Sequence, residues 1–229
     1  MQLVKIYDLG DLEVLNRYTN SGPISDFCVI NKPGGRRKIL MCDGTREMSF
    51  LESSKKTPQI ISVWSLKSFA FEANHTYLIL QTLDLVVIVY ALVDNTFVDR
   101  SDMMNGFKYG VTTVYYQLCS YRQFAQVCTE GSVRLLNSKT GVLKHSWNPG
   151  SPISCASATN KQILLAIGNH LVYLEVGVGQ LIEHKRVQLD RDIDCLDISP
   201  LGCENLYFSQ LAAVGTWKET KFRFVRFQG

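Results

Sequence analysis

The sequence predicts an all-β fold, a β-propeller with about five recognisable blades, and three observations predict it. First, a short apolar strand, a turn and a second apolar strand recur five times. The copies are Ile39-Leu40-Met41-Cys42 before Asp43-Gly44, Tyr77-Leu78-Ile79-Leu80 before Leu83-Asp84, Phe124-Ala125-Gln126-Val127 before Glu130-Gly131, Leu164-Leu165-Ala166-Ile167 before Gly168-Asn169, and Leu211-Ala212-Ala213-Val214 before Gly215. Second, their central residues Met41, Ile79, Ala125, Leu165 and Ala212 lie 38, 46, 40 and 47 positions apart. A period of roughly 40–50 residues built from strands is blade-sized. Third, each copy has a leading strand upstream: Ile24 to Cys28, Ile60 to Trp64, Val111 to Tyr115, Ile153 to Ala156 and Ile193 to Asp197.

The elements follow in order. Gln2 to Tyr7 reads as an opening strand. Val133-Arg134-Leu135-Leu136 pairs back across Glu130-Gly131, and Leu171-Val172-Tyr173-Leu174 across Gly168-Asn169, because apolar-polar alternation is a strand period. Val86 to Tyr90 is continuously apolar and predicts a strand buried on both faces. Turn chemistry separates the strands at Asn31 to Gly35, Ser138 to Gly141, Asn148-Pro149-Gly150 and Pro200 to Gly202. Thr45 to Pro58 is polar and fits a long loop or a degraded outer strand. Five units use the whole chain, which fits a closed five-blade ring, while a larger ring would need more sequence.

With 229 residues, 46% of them hydrophobic and 20% charged, the composition is that of one large globular domain. A net charge of +3 is too small to argue for nucleic acid or membrane. The longest apolar run, Leu85 to Val93, is far below the ~20 residues of a membrane helix. The start of the chain lacks the layout of a secretory signal. The seven cysteines contain no C-x-x-C pair, and Cys28, Cys42, Cys128, Cys155 and Cys195 fall in apolar strands. That pattern reads as reduced thiols packed as small hydrophobes, in the nucleus or cytoplasm.

No nucleophile-elbow, zinc-protease, Walker or dinucleotide-binding motif occurs, and His75, His145, His170 and His184 lack metal-ligand spacing. The cluster Asp190, Asp192, Asp194 and Asp197 offers oxygens to a hard cation, with Asp192 and Asp194 on one strand face. A solvated turn gives the same text and is the favoured reading. The tail interleaves Lys218, Lys221, Arg223 and Arg226 with Trp217, Phe222, Phe224 and Phe227. It fits a single nucleic-acid strand, or, as favoured here, an edge strand whose charges discourage aggregation. Glu204 to Gln210 is similar to a protease-cleavage tag with its last two residues exchanged, and reads as native strand. Trp64 reads as core. Trp147, beside Asn148-Pro149-Gly150 in an expected blade-connecting loop, is the best candidate for a partner contact, with core packing the alternative.

An ordered set of segments carries a family resemblance: Gln2 to Lys5, Tyr18 to Val29, Ser132-Val133-Arg134-Leu135, Ala166-Ile167-Gly168 with Leu171 to Leu174, and Cys195 to Gly202. Together they resemble the family of large propeller proteins that comprises damaged-DNA-binding protein 1 and the propeller subunits of the polyadenylation and splicing 3b complexes. Cys195 to Gly202 favours the damaged-DNA-binding branch, and the matching region is its second propeller, a seven-blade ring, so the resemblance implies that these five units are a partial or incomplete seven-blade ring. The resemblance implies residues 1–20 as terminal strands of a preceding propeller-like unit and residues 21–229 as the propeller domain. It implies a ubiquitin-ligase adaptor role, docking on a cullin 4 N-terminal domain, and no catalytic residue, metal or cofactor. Trp147 and the pair Arg122 and Gln123 match family positions that look like parts of the cullin contact. The family's first and third propellers have no counterpart in this sequence.

Three functions follow as expectations. The leading one is a non-enzymatic interaction scaffold, nuclear and cytoplasmic, that docks a cullin and touches nucleic acid only indirectly or weakly. The alternative is an RNA-processing propeller subunit that uses the basic aromatic tail. The third, an enzyme in the central channel, requires the Asp190 to Asp197 cluster to hold a metal.

Overall fold

The computed structural model describes residues 2–6, 12–17, 24–31, 37–43, 60–67, 74–94, 96–199, 208–217 and 223–226. Strand β1 (Gln2–Ile6) pairs with β2 (Leu12–Arg17) in a sheet of their own. Every later sheet is one blade. Blade 1 is β3 (Ile24–Asn31) and β4 (Arg37–Asp43). Blade 2 is β5 (Ile60–Leu66), β6 (Tyr77–Thr82), β7 (Val87–Val93) and β8 (Thr96–Asp99). Blade 3 is β9 (Thr113–Cys119), β10 (Gln123–Cys128), β11 (Val133–Asn137) and β12 (Leu143–Trp147). Blade 4 is β13 (Cys155–Ala158), β14 (Gln162–Ile167), β15 (His170–Val176) and β16 (Leu181–Gln188). Blade 5 is β17 (Ile193–Asp197), β18 (Leu211–Thr216) and β19 (Arg223–Arg226).

The five repeat copies are the second strands β4, β6, β10, β14 and β18, and the leading strands are β3, β5, β9, β13 and β17. The repeat centres sit mid-sheet: Ile79 lies opposite Trp64 and Val89, and Leu165 opposite Ala156 and Val172. Val111-Thr112 and Ile153-Ser154 precede the first paired residues of β9 and β13. Phe208-Ser209-Gln210 lie before β18 and are not strand, contrary to the sequence reading. Thr45 to Pro58, Cys203, Glu204 to Tyr207, Lys218, Lys221, Phe222 and Phe227 fall outside the described residues.

The blades stack because the second strands β6, β10 and β14 each have two apolar faces. Side chains alternate across a strand, so neighbours in sequence serve opposite seams. Ile79 packs with Tyr116 and Phe124 between blades 2 and 3, whereas Leu78 and Leu80 pack with Ile30 between blades 1 and 2. Ala125 and Val127 join Ile163 and Leu165 between blades 3 and 4. Leu164 and Ala166 turn the other way, to Ala212 and Val214 of blade 5. Each large side chain buried this way contributes about 1.5–3 kcal/mol. Strand β7 follows the same rule: Val87 and Val89 are fully buried toward blade 3, while Ile88 and Tyr90 are half-buried toward blade 1. Val86 precedes the strand and is exposed, so the continuous apolar run is not buried throughout.

Buried glutamines clasp neighbouring segments through their amides. The Gln81 side chain donates to the Val111 carbonyl (2.7 Å) and accepts from the Thr113 N–H (3.0 Å). Gln126 accepts from Lys108 N–H (2.8 Å) and donates to the Lys108 carbonyl (3.1 Å) and the Tyr116 hydroxyl (3.0 Å). Gln162 accepts from Ser209 N–H (2.6 Å) and donates to its carbonyl (3.0 Å). An amide satisfies a backbone N–H and C=O together, which suits a seam where two sheets expose unpaired backbone.

Candidate interaction surfaces

Antiparallel order within blades gives the stack of blades two ends. One end carries the turns between first and second strands and between third and fourth. The other carries the turns between second and third strands and the links from blade to blade. Backbone hydrogen bonds join neighbours within each end. Ser120 N–H donates to Asn160 and Val176 N–H to Lys161 at the first; Ile153 N–H donates to Thr129 and Trp217 N–H to Asp192 at the second.

The three sequence-predicted contact residues divide between these ends. Gln123 lies opposite Asn137 at one end of β11, and Trp147 lies opposite Val133 at the other. Four residues of extended strand separate these positions by about 13 Å. Trp147 is the last residue of the outer strand β12 and not part of the connecting loop, because its pairing with Val133 extends the strand. It is half-buried against the core between blades 3 and 4. The same end exposes Leu83 and Val86 from blade 2 and Trp217, 58% accessible, from blade 5. The turns and links here are charged with both signs. Asp84, Glu130, Asp190 and Asp192 lie here with Lys108 and Arg191. Lys108 and Glu130 form an ion pair, and the hydrogen bond from Lys108 holds the Glu130 carboxyl below its ordinary range.

At the opposite end, Tyr121 and Arg122 form the turn between β9 and β10 with φ of 62° and 55°. Two successive left-handed residues make a tight hairpin turn that favours Asn-Gly, and side chains with a Cβ cost roughly 1–2 kcal/mol each there. Arg122 and Tyr121 are exposed. Gln123 is buried, 4% accessible, and its amide grips blade 4: it accepts from Gly179 N–H (2.8 Å) and donates to the Gly177 carbonyl (2.9 Å). Gln123 therefore positions this surface from beneath and does not present itself to a partner. The Ser120 hydroxyl under the turn is buried and has no hydrogen-bond partner among the described residues.

The remaining candidates resolve as follows. Trp64 packs edge-on against Tyr116 (4.8 Å) in the seam between blades 2 and 3, half-buried. Among the described residues no group of three or more His, Cys, Asp or Glu is arranged to hold a metal. Asp190 pairs with Arg223 at 3.3 Å. Burial pushes the Asp197 carboxyl up, but hydrogen bonds from Ser199 (2.8 Å) and Ser157 (3.2 Å) outweigh it and hold the group low. Asp192 precedes β17 while Asp194 lies within it, so the two do not share a strand face. In β19, Val225 packs on the core and Phe224 is exposed, as in an alternating edge strand. Cys28, Cys119, Cys128, Cys155 and Cys195 are free thiols. Burial pushes the Cys119 thiol up to about 12 and Cys155 to about 11, whereas Cys195 is exposed and departs from the packed-hydrophobe reading because its side of β17 faces away from the seam. The sequence reading missed the glutamine clasps; a Gln within an apolar strand, as in Phe124-Ala125-Gln126-Val127, was the available signal.

The sequence pattern described as the RSE1/DDB1/CPSF1 second beta-propeller matches residues 48–228. The chain belongs to that family. This RSE1/DDB1/CPSF1 propeller is 36% identical to DNA damage-binding protein 1b of Arabidopsis thaliana over 227 residues, covering 93% of this chain and 20% of the relative. It is 35% identical to DNA damage-binding protein 1 of Solanum lycopersicum over 242 residues, covering 97% of this chain and 22% of that one. The chain thus spans about a fifth of the length of these curated relatives. In three dimensions it is similar to the crystal structure of Saccharomyces cerevisiae Sqt1, with a TM-score of 0.63 at 13% identity, over 93% of this chain and 62% of that one. That likeness shows the propeller fold alone. No helix among the described residues is long and apolar enough to cross a membrane.

Proposed function

We propose that this chain is a non-enzymatic protein-interaction scaffold whose Trp147 end docks a cullin 4 N-terminal domain, in the manner its family resemblance implies. The observation that carries the reading is family membership together with the relatives named DNA damage-binding protein 1. The exposed Trp217, Leu83 and Val86 at the same end as Trp147 support the choice of end, since rigid apolar side chains are the usual anchors of a protein contact. Arg122 leaves that contact because it lies at the far end of blade 3, and Gln123 leaves it because it is buried. The separate β1–β2 sheet supports residues 1–20 as strands of a preceding unit and 21–229 as the propeller. A nuclear site of action fits the relatives' names.

Calorimetric titration with a cullin 4 N-terminal domain tests the reading. Saturable binding is expected, weakened roughly tenfold or more by Trp217→Ala or Trp147→Ala and unchanged by Arg122→Ala. Trp147 touches the core, so Trp217→Ala is the cleaner variant. Absence of heat from a folded monomer would refute the docking. Binding to single-stranded RNA that weakens steeply with salt would shift the chain to the RNA-processing reading.

A further inference from the structure

The Arg122 end of blades 3 and 4, we infer, is a second docking surface, one for an acidic protein segment that carries apolar side chains. Four turns build it: residues 119–123 and 137–143 of blade 3, and 158–162 and 176–181 of blade 4. These turns contain Arg122, Lys139 and Lys161 and not one carboxylate. The Trp147 end mixes both signs, whereas the described carboxylates that approach these four turns, Asp102 in the link packed on Gly141 and Asp197 of blade 5 bonded to Ser157, lie outside them. Between the cations stand Tyr121, Val142 and Val178, the last 75% accessible. Exposed apolar side chains amid charge of one sign fit a partner that offers carboxylates and apolar groups together.

The surface is held ready. Lys161 reaches across two seams, with its ammonium 6.0 Å from the Tyr121 ring of blade 3 and 5.4 Å from the Phe208 ring ahead of blade 5. Two aromatic faces confine a side chain that would otherwise sweep a wide volume. Backbone bonds from Ser120 to Asn160 and from Ser138 to Arg122, together with the Gln123 grip on Gly177 and Gly179, lock the four turns to one another. Little ordering remains to oppose binding. The strained turn points the same way. Tyr121 and Arg122 occupy positions that Asn-Gly would fill without strain, and a bulky pair held at that conformation marks a site where side-chain identity matters more than turn stability. A nucleic acid is the poorer fit. Val142 and Val178 offer no face for base stacking, and three cations are few for a phosphate backbone.

The experiment is fluorescence anisotropy on the full chain with a fluorescein-labelled peptide of three Glu-Leu-Asp-Trp repeats. The controls are the same peptide with lysine at each acidic position, and an oligo-dT of similar length. Saturable binding of the acidic peptide alone is expected. Affinity should fall at least tenfold in Arg122→Glu/Lys161→Glu, fall severalfold in Lys139→Glu, and hold in Trp217→Ala. A second variant, Tyr121→Asn/Arg122→Gly, relaxes the turn. It should raise the melting temperature while lowering affinity, a combination that a purely structural turn would not give. It also stands if the glutamate variants fail to fold. Undiminished binding in the charge-reversed variant, equal binding of the lysine peptide, or tighter binding of oligo-dT would each overturn the inference. Because Trp217 and cullin docking belong to the other end, the two readings fail separately.

Discussion

The two ends of this propeller are made by the same strands and differ in what their turns carry. The Trp147 end has both carboxylates and cations, an ion pair between Lys108 and Glu130, and exposed Trp217, Leu83 and Val86. In blades 3 and 4 the turns of the Arg122 end carry cations only, one of them is strained, and aromatic rings hold Lys161. Strands must satisfy two seams at once and have little freedom. Turns satisfy only their own geometry, so charge and exposed apolar area can diverge between ends without disturbing the stack. A propeller of this design can offer two unlike surfaces to two unlike partners.

The largest expected effect tests whether the ends are equally tied to the core. Gln126→Ala, toward the Trp147 end, orphans both backbone groups of Lys108, leaves the buried Tyr116 and Thr113 hydroxyls only each other, and should cost about 3 kcal/mol in urea denaturation. Gln123→Ala, at the Arg122 end, frees the Gly177 carbonyl, the Gly179 N–H and the more exposed Ser120 carbonyl, and should cost about 2 kcal/mol. The reverse order would mean that the Arg122 end is the structural anchor and would undercut its reading as a surface.

Gly131→Ala should distort one end and spare the other. Its φ is 105°, and an added Cβ would run into the Ser151 carbonyl oxygen in the link that follows Trp147. A loss of about 2–3 kcal/mol is expected, with weaker cullin binding and unchanged acidic-peptide binding. Parallel loss at both ends would show that the ends are mechanically coupled.

The smallest effect concerns pH. At the Arg122 end of the first seam, the His75 Nδ1 accepts from the Asn31 N–H at 2.9 Å. Burial, and then the nearby Lys67, lower its pKa below the ordinary 6.5. A depressed pKa means that the unfolded chain binds the proton more readily. The stabilisation is therefore whole above pH 6.5 and is lost as pH falls below it toward the folded value. Melting temperatures of wild type and His75→Gln between pH 8 and pH 5 should converge at the acid end. A constant gap would remove His75 as the source.

Much of the fold was legible because blade geometry writes a local period. The five second strands could be placed from Met41, Ile79, Ala125, Leu165 and Ala212, since a strand buried on both faces must be continuously apolar and its turn must be Gly-, Asp- or Asn-rich. Trp64 was legible as seam packing for the same reason. The contact residues were less so. Trp147 and Arg122 are 25 positions apart in sequence, and nothing local tells that an odd number of strands between them puts them at opposite ends. Gln123 reads as a polar residue beside a turn and is in fact buried. Only the approach of blade 4, with the backbone of Gly177 and Gly179 in need of a partner, pulls it inward.

The sequence by itself determined the strand period, the apolar faces and the family, because each is a property of residues near one another along the chain. Tertiary structure decided which seam each side chain enters, which amides became clasps, and how charge divides between the ends. Those depend on strand direction and on which blade packs beside which, and distance through space is not written at any single position.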